Sequence, residues 1–198
     1  RINPAGRAFP PPSALSDYGR RLVRLGSSEP RRPRAFRTNE PALDLFPTRA
    51  WSQIAGRALR RGETILATDG APLGYLPLRE AIADYLGAAR GVRCRPEQVA
   101  IVSGVQEALD LTTRLLVDPG DRVVLEEPGY DGAERVFSAA GARIVSVAID
   151  GEGMRVPSAR LRDARLAYVT PAHQFPTGIA MSLPRRLALL EWARRAKC

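Results

Sequence analysis

The chain has 198 residues, of which 44% are hydrophobic and 26% are charged, a composition that permits a packed core and disfavours wholesale disorder. No apolar run reaches the roughly 18 residues of a membrane span, and the first residues lack the pattern of a signal peptide. The two cysteines, Cys94 and Cys198, lie too far apart in the sequence for a disulfide scaffold or a cysteine zinc site. We therefore expect a cytoplasmic protein without a metal centre.

The net charge of +9 is concentrated in residues 1–38, which hold nine arginines, two acidic residues and six prolines. This composition predicts a basic, proline-rich linker with at most one short helix, around residues 15–25. Such a segment also suits contact with nucleic acid or another anionic surface, but no aromatic residues interleave with the arginines of residues 31–34 to stack on bases. We favour the solvated linker, and residues 39–198 are then the folded domain.

Two amphipathic helices are predicted between residues 50 and 91. Apolar residues from Trp51 to Leu59 repeat at helical spacing, and this helix should end near Gly62. A loop rich in glycine and proline follows over residues 68–77. The second helix runs over residues 78–89 and should end at Gly91.

From residue 98 onward, strands and helices are predicted to alternate. The predicted strands are Val99–Val102, Arg122–Leu125, Arg143–Ile149 and Leu166–Thr170. Ser182 is predicted to cap the last helix, whose inward face would be Leu187, Leu190 and Ala193. Strands that alternate with helices of this length imply right-handed crossovers and a mainly parallel α/β sheet.

The first candidate site is the turn that follows the first predicted strand. Gly104 leaves room for a ligand to approach the backbone, and Val105 and Gln106 open a helix. The N–H groups and the positive dipole end of a helix N-terminus favour a bound phosphate. Many strand-to-helix turns carry glycine without a ligand, so this turn alone leaves both alternatives open.

Two further turns follow the second and fourth predicted strands. Tyr130 can stack on a planar ligand, although it can equally be an ordinary packed tyrosine. His173 and Gln174 lie in a loop with two prolines and a glycine, where they can face a ligand or serve the loop's own structure. All three turns lie at the carboxyl ends of strands, the edge where open α/β sheets bind ligands, and together they predict a site there.

Other catalytic motifs are missing from the sequence. No serine lies in a nucleophile elbow, and neither the dinucleotide-binding glycine pattern nor a phosphate loop with Gly-Lys-Ser/Thr is present. Lys197 is the single lysine among 30 basic residues. Because arginine keeps its proton, Lys197 is the one side-chain amine that could form a covalent adduct.

Several motifs, in this order along the chain, resemble one known family. They are Gly74–Leu86, Ser103–Leu109, Asp118–Asp121, Glu127–Tyr130 and Pro171–Gly178. They resemble the fold-type-I pyridoxal-phosphate enzymes, the class I and II aminotransferases, from about residue 36 to the end. The histidine–glutamine form of the last motif resembles the MocR-type branch of the GntR regulators, in which an aminotransferase-like domain follows a winged helix-turn-helix.

The resemblance implies a three-layer fold with a mainly parallel sheet, of which this chain supplies an incomplete part with its strands in the order 3-2-4. The implied cofactor is pyridoxal 5'-phosphate, and the residues assigned to it are Gly104, Val105, Gln106 and Tyr130. The first three would hold the phosphate, and Tyr130 would stack on the pyridine ring. The loop that carries His173 and Gln174 would border the substrate side.

The sequence departs from the family pattern at three places. Phe175 stands where many aminotransferases have an asparagine, and Asp69 stands where a tyrosine is frequent. The acidic motif, the Schiff-base lysine and the arginine of the small domain would all lie beyond Cys198. Lys197 falls in the helix before those elements, so no residue of this chain is assigned a catalytic role.

Three functions are compatible with these motifs. The full-length protein is either a pyridoxal-phosphate-dependent aminotransferase or a MocR/GntR-type regulator that senses an effector without turnover, and the chain can also be a truncated product without activity of its own. The resemblance implies an amino-acid or amine ligand, a homodimer, and DNA contact only through a winged helix. The basic head favours the regulator branch, and whether the protein is an enzyme stays open.

Overall fold

The predicted alternation of strands and helices is present from Val105 to Ala196 in a computed structural model. The structure describes residues 15–25, 42–61, 70–158, 161 and 163–198. The α-helices among them are α1 (Asp17–Arg24), α2 (Thr48–Arg61), α3 (Leu76–Arg90), α4 (Val105–Leu116), α5 (Asp131–Ala139) and α6 (Leu183–Ala196). The strands are β1 (Arg122–Glu127), β2 (Arg143–Asp150), β3 (Gly153–Met154) and β4 (Ala164–Tyr168). These residues form two compact units, 15–25 with 104–198 and 42–61 with 70–103.

The sheet of the first unit has the strand order β3-β2-β1-β4. β1 pairs in parallel with β2 and β4, and β3 pairs antiparallel with the end of β2. Residues 123–126 of β1 are all buried, as expected for a central parallel strand that is covered on both faces. Because β2, β1 and β4 are the third, second and fourth predicted strands, both the mainly parallel sheet and the 3-2-4 order are confirmed. The two-residue strand β3 was not predicted.

The first predicted strand, Val99–Val102, is not a strand in the structure. The backbone N–H of Ile101 donates instead to the carbonyl of Leu73 at 2.9 Å. An apolar run becomes a strand only where a neighbouring strand supplies donors and acceptors for its backbone. None of the described strands pairs with residues 99–102, so this prediction was wrong.

Helices cover both faces of the sheet, which confirms the three layers implied by the resemblance. On one face, Val123 and Leu125 pack with Phe137 of α5, which is 1% exposed. On the other face, Val124 packs with Trp192 of α6. Successive residues of β1 enter opposite cores because the side chains of a strand alternate between its two faces.

The inward face of α6 is not the predicted one. Leu187 and Leu190 are 59% and 67% exposed, and Ala193 alone among the three predicted residues packs against the core. The buried residues of α6 are Leu189, Trp192 and Ala196. Both sets of residues repeat at helical spacing, so the spacing alone could not choose between them.

Arg185 in the first turn of α6 explains which face turns inward. The helix starts as predicted, since the hydroxyl of Ser182 accepts a hydrogen bond from the Arg185 N–H at 3.3 Å. The Arg185 guanidinium donates to the Met154 carbonyl at 3.0 Å and pairs with the Asp150 carboxylate at 3.2 Å. Leu189 follows Arg185 by four residues and therefore lies on the same side of the helix, toward the sheet.

The short helix predicted around residues 15–25 is α1, which packs against α4 and α5. The Tyr18 hydroxyl donates to the Asp110 carboxylate at 3.2 Å, and Nε of Arg21 donates to the carbonyl of Ala139, the last residue of α5, at 2.7 Å. Partial burial raises the pKa of Tyr18, and the nearby Asp110 carboxylate raises it further, which keeps this donor protonated at neutral pH. The predicted boundary at residue 38 lies outside the described residues and stays a prediction.

The motif that begins at Gly74 is shaped by close packing in the second unit. Gly74 has a φ of +96°, and a Cβ there would lie 2.7 Å from the Cβ of Ile101. The buried Arg79 donates to the Gly74 carbonyl and to the Pro96 carbonyl, both at 3.1 Å. α3 ends at Gly91 in the left-handed conformation, as predicted.

α2 carries the predicted apolar repeat, with Trp51 and Ile54 exposed. The ring of Phe46 lies 5.7 Å from the ring of Trp51, measured between centroids. The predicted helix end at Gly62 and the departure at Asp69 lie outside the described residues. No helix in the described part of the chain is long and apolar enough to cross a membrane.

Candidate functional site

Two of the predicted turns meet at the carboxyl edge of the sheet. Tyr130 lies between the end of β1 and the start of α5, and Gln106 lies in the first turn of α4. Nε2 of Gln106 donates to the hydroxyl of Tyr130 at 2.9 Å. This hydrogen bond places the aromatic ring beside the helix N-terminus, so one ligand can contact both.

The N-terminus of α4 is open to an anion. Val105 and Gln106 are the first two residues of the helix and are exposed, and the N–H groups of a first turn have no acceptor inside the helix. Gly104 precedes them without a side-chain cap, and a Cβ at this position would meet no atom within 4 Å. A phosphate in this space would meet backbone N–H groups and the positive end of the helix dipole.

The third predicted turn reaches the same edge through Gln174 and Phe175. Gln174 is 2% exposed, and its Nε2 donates to the carbonyl of Pro128 at 2.8 Å. The Phe175 ring meets the Tyr130 ring edge-on, with centroids 5.6 Å apart and planes at 82°. His173 is exposed in the bend after β4. The Gln174 amide contacts groups of the protein itself, so the role of His173 and Gln174 on the substrate side stays a prediction.

A buried carboxylate that the sequence pattern did not reveal lies near the carboxyl end of β1. Glu126 of β1 accepts hydrogen bonds from the N–H and the hydroxyl of Thr170, at 3.2 Å and 2.5 Å, and from Nε2 of Gln174 at 3.3 Å. These donors satisfy the carboxylate, which burial alone would strongly disfavour. The available signal was a glutamate that directly continues the buried run of β1.

A cavity of about 110 Å³ opens beside Tyr130, and its lining is acidic. Glu127 and Asp131 contribute carboxylates to it, so a phosphate is favoured at the α4 end of the site rather than inside this cavity. Tyr168 also lines the cavity. Burial raises the pKa of Tyr168, and Tyr130 and Glu126 raise it further, so its hydroxyl is protonated at neutral pH.

A larger cavity of about 530 Å³ lies between α6 and the side chains of Val156, Pro157 and Leu161, and none of the predicted site residues lines it. Its lining is mainly apolar and includes Val156, Pro157 and Trp192. Within the described ranges, no group of three His, Cys, Asp or Glu side chains is arranged to hold a metal ion.

Gly132 is a site residue that the sequence pattern did not reveal. A Cβ there would overlap Nε2 of Gln106 and lie 2.6 Å from Cζ of Tyr130. Gly132→Ala is therefore expected to displace the ring and to break the Gln106–Tyr130 hydrogen bond. With 3-fluorotyrosine incorporated, the ¹⁹F resonance of Tyr130 should shift in Gly132→Ala. It should not shift in Gly151→Ala, where a Cβ meets no atom within 4 Å; an unshifted resonance in Gly132→Ala would contradict this packing.

The fold and the site together define a class of protein. A parallel three-layer sheet carries a helix N-terminus and an aromatic turn side by side at its carboxyl edge. Residues 37–197 match the family described as aminotransferase class I and II. The chain belongs to this family, which confirms the resemblance seen in the sequence.

Similar proteins include both regulators and enzymes. The probable rhizopine catabolism regulatory protein MocR of Rhizobium meliloti is 38% identical over 194 residues, which are 98% of this chain and 39% of that protein. The 2-aminoadipate transaminase of Thermus thermophilus is 34% identical over 161 residues, which are 79% of this chain and 39% of that protein. The chain thus spans about two fifths of the length of these relatives.

Solved structures of the family share the fold. LysN, the alpha-aminoadipate aminotransferase from Thermus thermophilus, was crystallised in complex with N-(5'-phosphopyridoxyl)-L-leucine. It superimposes with a TM-score of 0.67 at 34% identity, and the match covers 79% of this chain and 40% of that one. The chain is therefore an aminotransferase-like domain with the architecture of the fold-type-I pyridoxal-phosphate enzymes.

Proposed function

We propose that the chain binds pyridoxal 5'-phosphate at the carboxyl edge of its sheet. Gly104 and the N–H groups of Val105 and Gln106 would hold the phosphate, and Tyr130 would stack on the pyridine ring. The observation that carries this proposal is the 2.9 Å hydrogen bond from Gln106 to Tyr130, which joins the phosphate end of the site to the ring end. When bound, the cofactor supplies an aldehyde and an electron-withdrawing ring.

The residues present fit this cofactor on three counts. The space in front of α4 is open at Gly104, so a phosphate can reach the helix N-terminus without displacing a side chain. The rings of Tyr130 and Phe175 provide an apolar surface next to that helix, because the Tyr130 hydroxyl accepts a hydrogen bond from Gln106 in the first turn of α4. The acidic lining beside Tyr130 would attract a protonated, positively charged ring nitrogen and would repel the phosphate.

For the full-length protein we propose a cytoplasmic homodimer of the aminotransferase type that takes an amino acid or an amine as its ligand. Relatives of this chain include a transaminase, and the match to the family covers residues 37–197. In that form, the site would serve transamination of the ligand.

A MocR/GntR-type transcription regulator is the second candidate, and one observation favours it. The similarity to the MocR protein extends over 98% of the chain and therefore includes the basic segment before residue 37, whereas the similarity to the transaminase covers 79%. In such a regulator the same site would sense an effector without turnover. DNA contact would require an N-terminal winged helix.

Binding of 4-deoxypyridoxine 5'-phosphate tests the proposed site, because this analogue keeps the ring and the phosphate but lacks the aldehyde and so cannot form an adduct with Lys197 or any other amine. We expect weak binding by calorimetry. Tyr130→Ala should weaken it about fivefold, since ring stacking contributes about 1 kcal/mol. Gln106→Pro should weaken it too, because it removes an N–H donor and the contact to Tyr130.

Tyr85→Ala is the matched control, since Tyr85 is an exposed tyrosine of α3 in the other unit. It should bind the analogue as the parent chain does. Equal affinities of the parent, Tyr130→Ala and Gln106→Pro would rule out this site.

A further inference from the structure

We propose that Gln174 is the positioning residue for Tyr130, and that it fixes the aromatic ring by joining the two loops at the carboxyl edge of the sheet. The proposal rests on the proposed function for the ligand, but the position of Tyr130 can be measured without one. Gln174 is buried, and its side chain bonds to the two loops and to Glu126 rather than to the N-terminus of α4 or the Tyr130 ring. Its effect on the site is therefore indirect.

Both the nitrogen and the oxygen of the Gln174 side-chain amide form hydrogen bonds. Nε2 lies 2.8 Å from the carbonyl oxygen of Pro128 and 2.5 Å from that of Phe175, and it donates to both. Oε1 accepts from the hydroxyl of Thr177 at 2.7 Å and from its N–H at 3.2 Å. An amide is the side-chain group that donates and accepts in one plane, so neither a carboxylate nor a thioether can replace it here.

The loop that carries Gln174 is itself fastened to β1. The Gln174 N–H donates to the carbonyl of Ile179 at 2.9 Å, which closes the loop. Thr170 at the start of the loop donates from its N–H and hydroxyl to the Glu126 carboxylate. The Phe175 N–H donates to the Thr170 hydroxyl oxygen at 3.2 Å. Gln174 is thus held in a fixed place relative to the end of β1, and can fix its partners in turn.

Both carbonyl partners of Nε2 belong to neighbours of Tyr130. Pro128 precedes Tyr130 by two residues, so the Gln174–Pro128 bond fixes the turn from which the ring projects. Phe175 presses the edge of its ring against Tyr130, at 5.6 Å between centroids. Without the amide, the Pro128 carbonyl would lose this donor, and Phe175 would lose the bond at its carbonyl and keep only the one from its N–H to Thr170. We therefore expect the Tyr130 ring to leave its place beside Gln106.

The full chain labelled with 3-fluorotyrosine provides the direct test, since it contains five tyrosines and Tyr130→Phe assigns the resonance. Gln174→Met, which keeps the volume but removes both hydrogen-bonding ends, should shift the Tyr130 resonance and leave that of Tyr85 in place. Thr177→Val should shift it in the same direction by a smaller amount. Thr177 is exposed, so this variant keeps the test decisive if Gln174→Met does not fold.

Ligand binding separates positioning from general loss of structure. In Gln174→Met, affinity for 4-deoxypyridoxine 5'-phosphate should fall about fivefold, to the level of Tyr130→Ala, because both remove the same stacking contact. The Tyr130→Ala/Gln174→Met double variant should bind no more weakly than Tyr130→Ala alone. Affinity for inorganic phosphate, which the N-terminus of α4 would bind without the ring, should change by less than about twofold.

The outcomes distinguish this inference from the proposed function. A folded Gln174→Met with the parent's Tyr130 resonance would overturn the positioning role. The same holds if the Tyr130 resonance stays fixed in Thr177→Val while Gln174→Met fails to fold. A parent chain that does not bind 4-deoxypyridoxine 5'-phosphate would overturn the proposed function, and the resonance of Tyr130 would still decide the role of Gln174.

Discussion

Supplied with pyridoxal 5'-phosphate and any amino acid, the 198-residue chain should transfer no amino group to 2-oxoglutarate. Transamination needs an amine held against the cofactor's aldehyde and a base that moves a proton at the same place. The chain contains one lysine, Lys197. Lys197 is the exposed residue that caps the end of α6, so its amine is not held in a site.

The course of α6 places Lys197 at the wrong end of the sheet. α6 begins at the carboxyl edge, where the N–H of Met181 donates at 2.9 Å to the carbonyl of Pro171, just beyond β4. The helix has 14 residues and is therefore about 21 Å long. Its last residue, Ala196, belongs to the same hydrophobic cluster as Ala164, the first residue of β4. The helix therefore ends toward the amino edge, whereas Tyr130 lies at the carboxyl edge. A lysine side chain does not span that separation.

Turnover can be measured by formation of glutamate, with Lys197→Ala as the matched control. Both proteins should give the rate of the buffer blank, and any trace of activity from host transaminases should be equal in the two preparations. Turnover that survives removal of host enzymes and disappears in Lys197→Ala would show that the chain catalyses the reaction through this lysine.

The parts of the fold that depend on local chemistry could be predicted from the sequence. Gly91 ends α3 because glycine adopts the left-handed conformation at little cost, and Ser182 starts α6 because its hydroxyl accepts from a first-turn N–H. The buried run of β1 is visible as consecutive apolar residues. Residues 99–102 have the same apolar character but pair with none of the described strands, and pairing depends on residues that lie far away in the sequence.

The candidate site also contains residues that the sequence indicated and residues that only the folded structure brings together. Gln106 and Tyr130 could be singled out because each follows an apolar run at a turn before a helix. The buried pair of Glu126 and Gln174 could not, because those residues are 48 positions apart and their hydrogen bond exists only in the folded chain. Gly132 could not be singled out for the same reason. A side chain at this position would collide with Gln106, which belongs to another helix.

The buried face of α6 is where the helical spacing of the sequence and the structure disagree most. Substitutions of two neighbouring leucines test which face is buried. Leu189→Ala should lower the free energy of unfolding by about 2–5 kcal/mol, because it removes buried methyl groups and leaves a cavity. Leu189 is 8% exposed and packs in the core that contains Val124 and Met154. Leu190→Ala should change that free energy by no more than about 0.5 kcal/mol, because Leu190 is exposed.

The two variants are matched closely enough for their difference to isolate burial. Both replace leucine by alanine inside the same helix, so the change in helix propensity is the same and favours neither. Urea unfolding with a common slope gives the two free energies, and Leu189→Met is the milder variant to use if Leu189→Ala is unfolded without denaturant. A domain of this kind is stable by about 5–15 kcal/mol, so the loss at Leu189 is a large fraction of the total. If Leu190→Ala lowered the free energy of unfolding more than Leu189→Ala did, the buried face of α6 would be the predicted one that contains Leu190. The contacts of Arg185 would then not set the orientation of the helix.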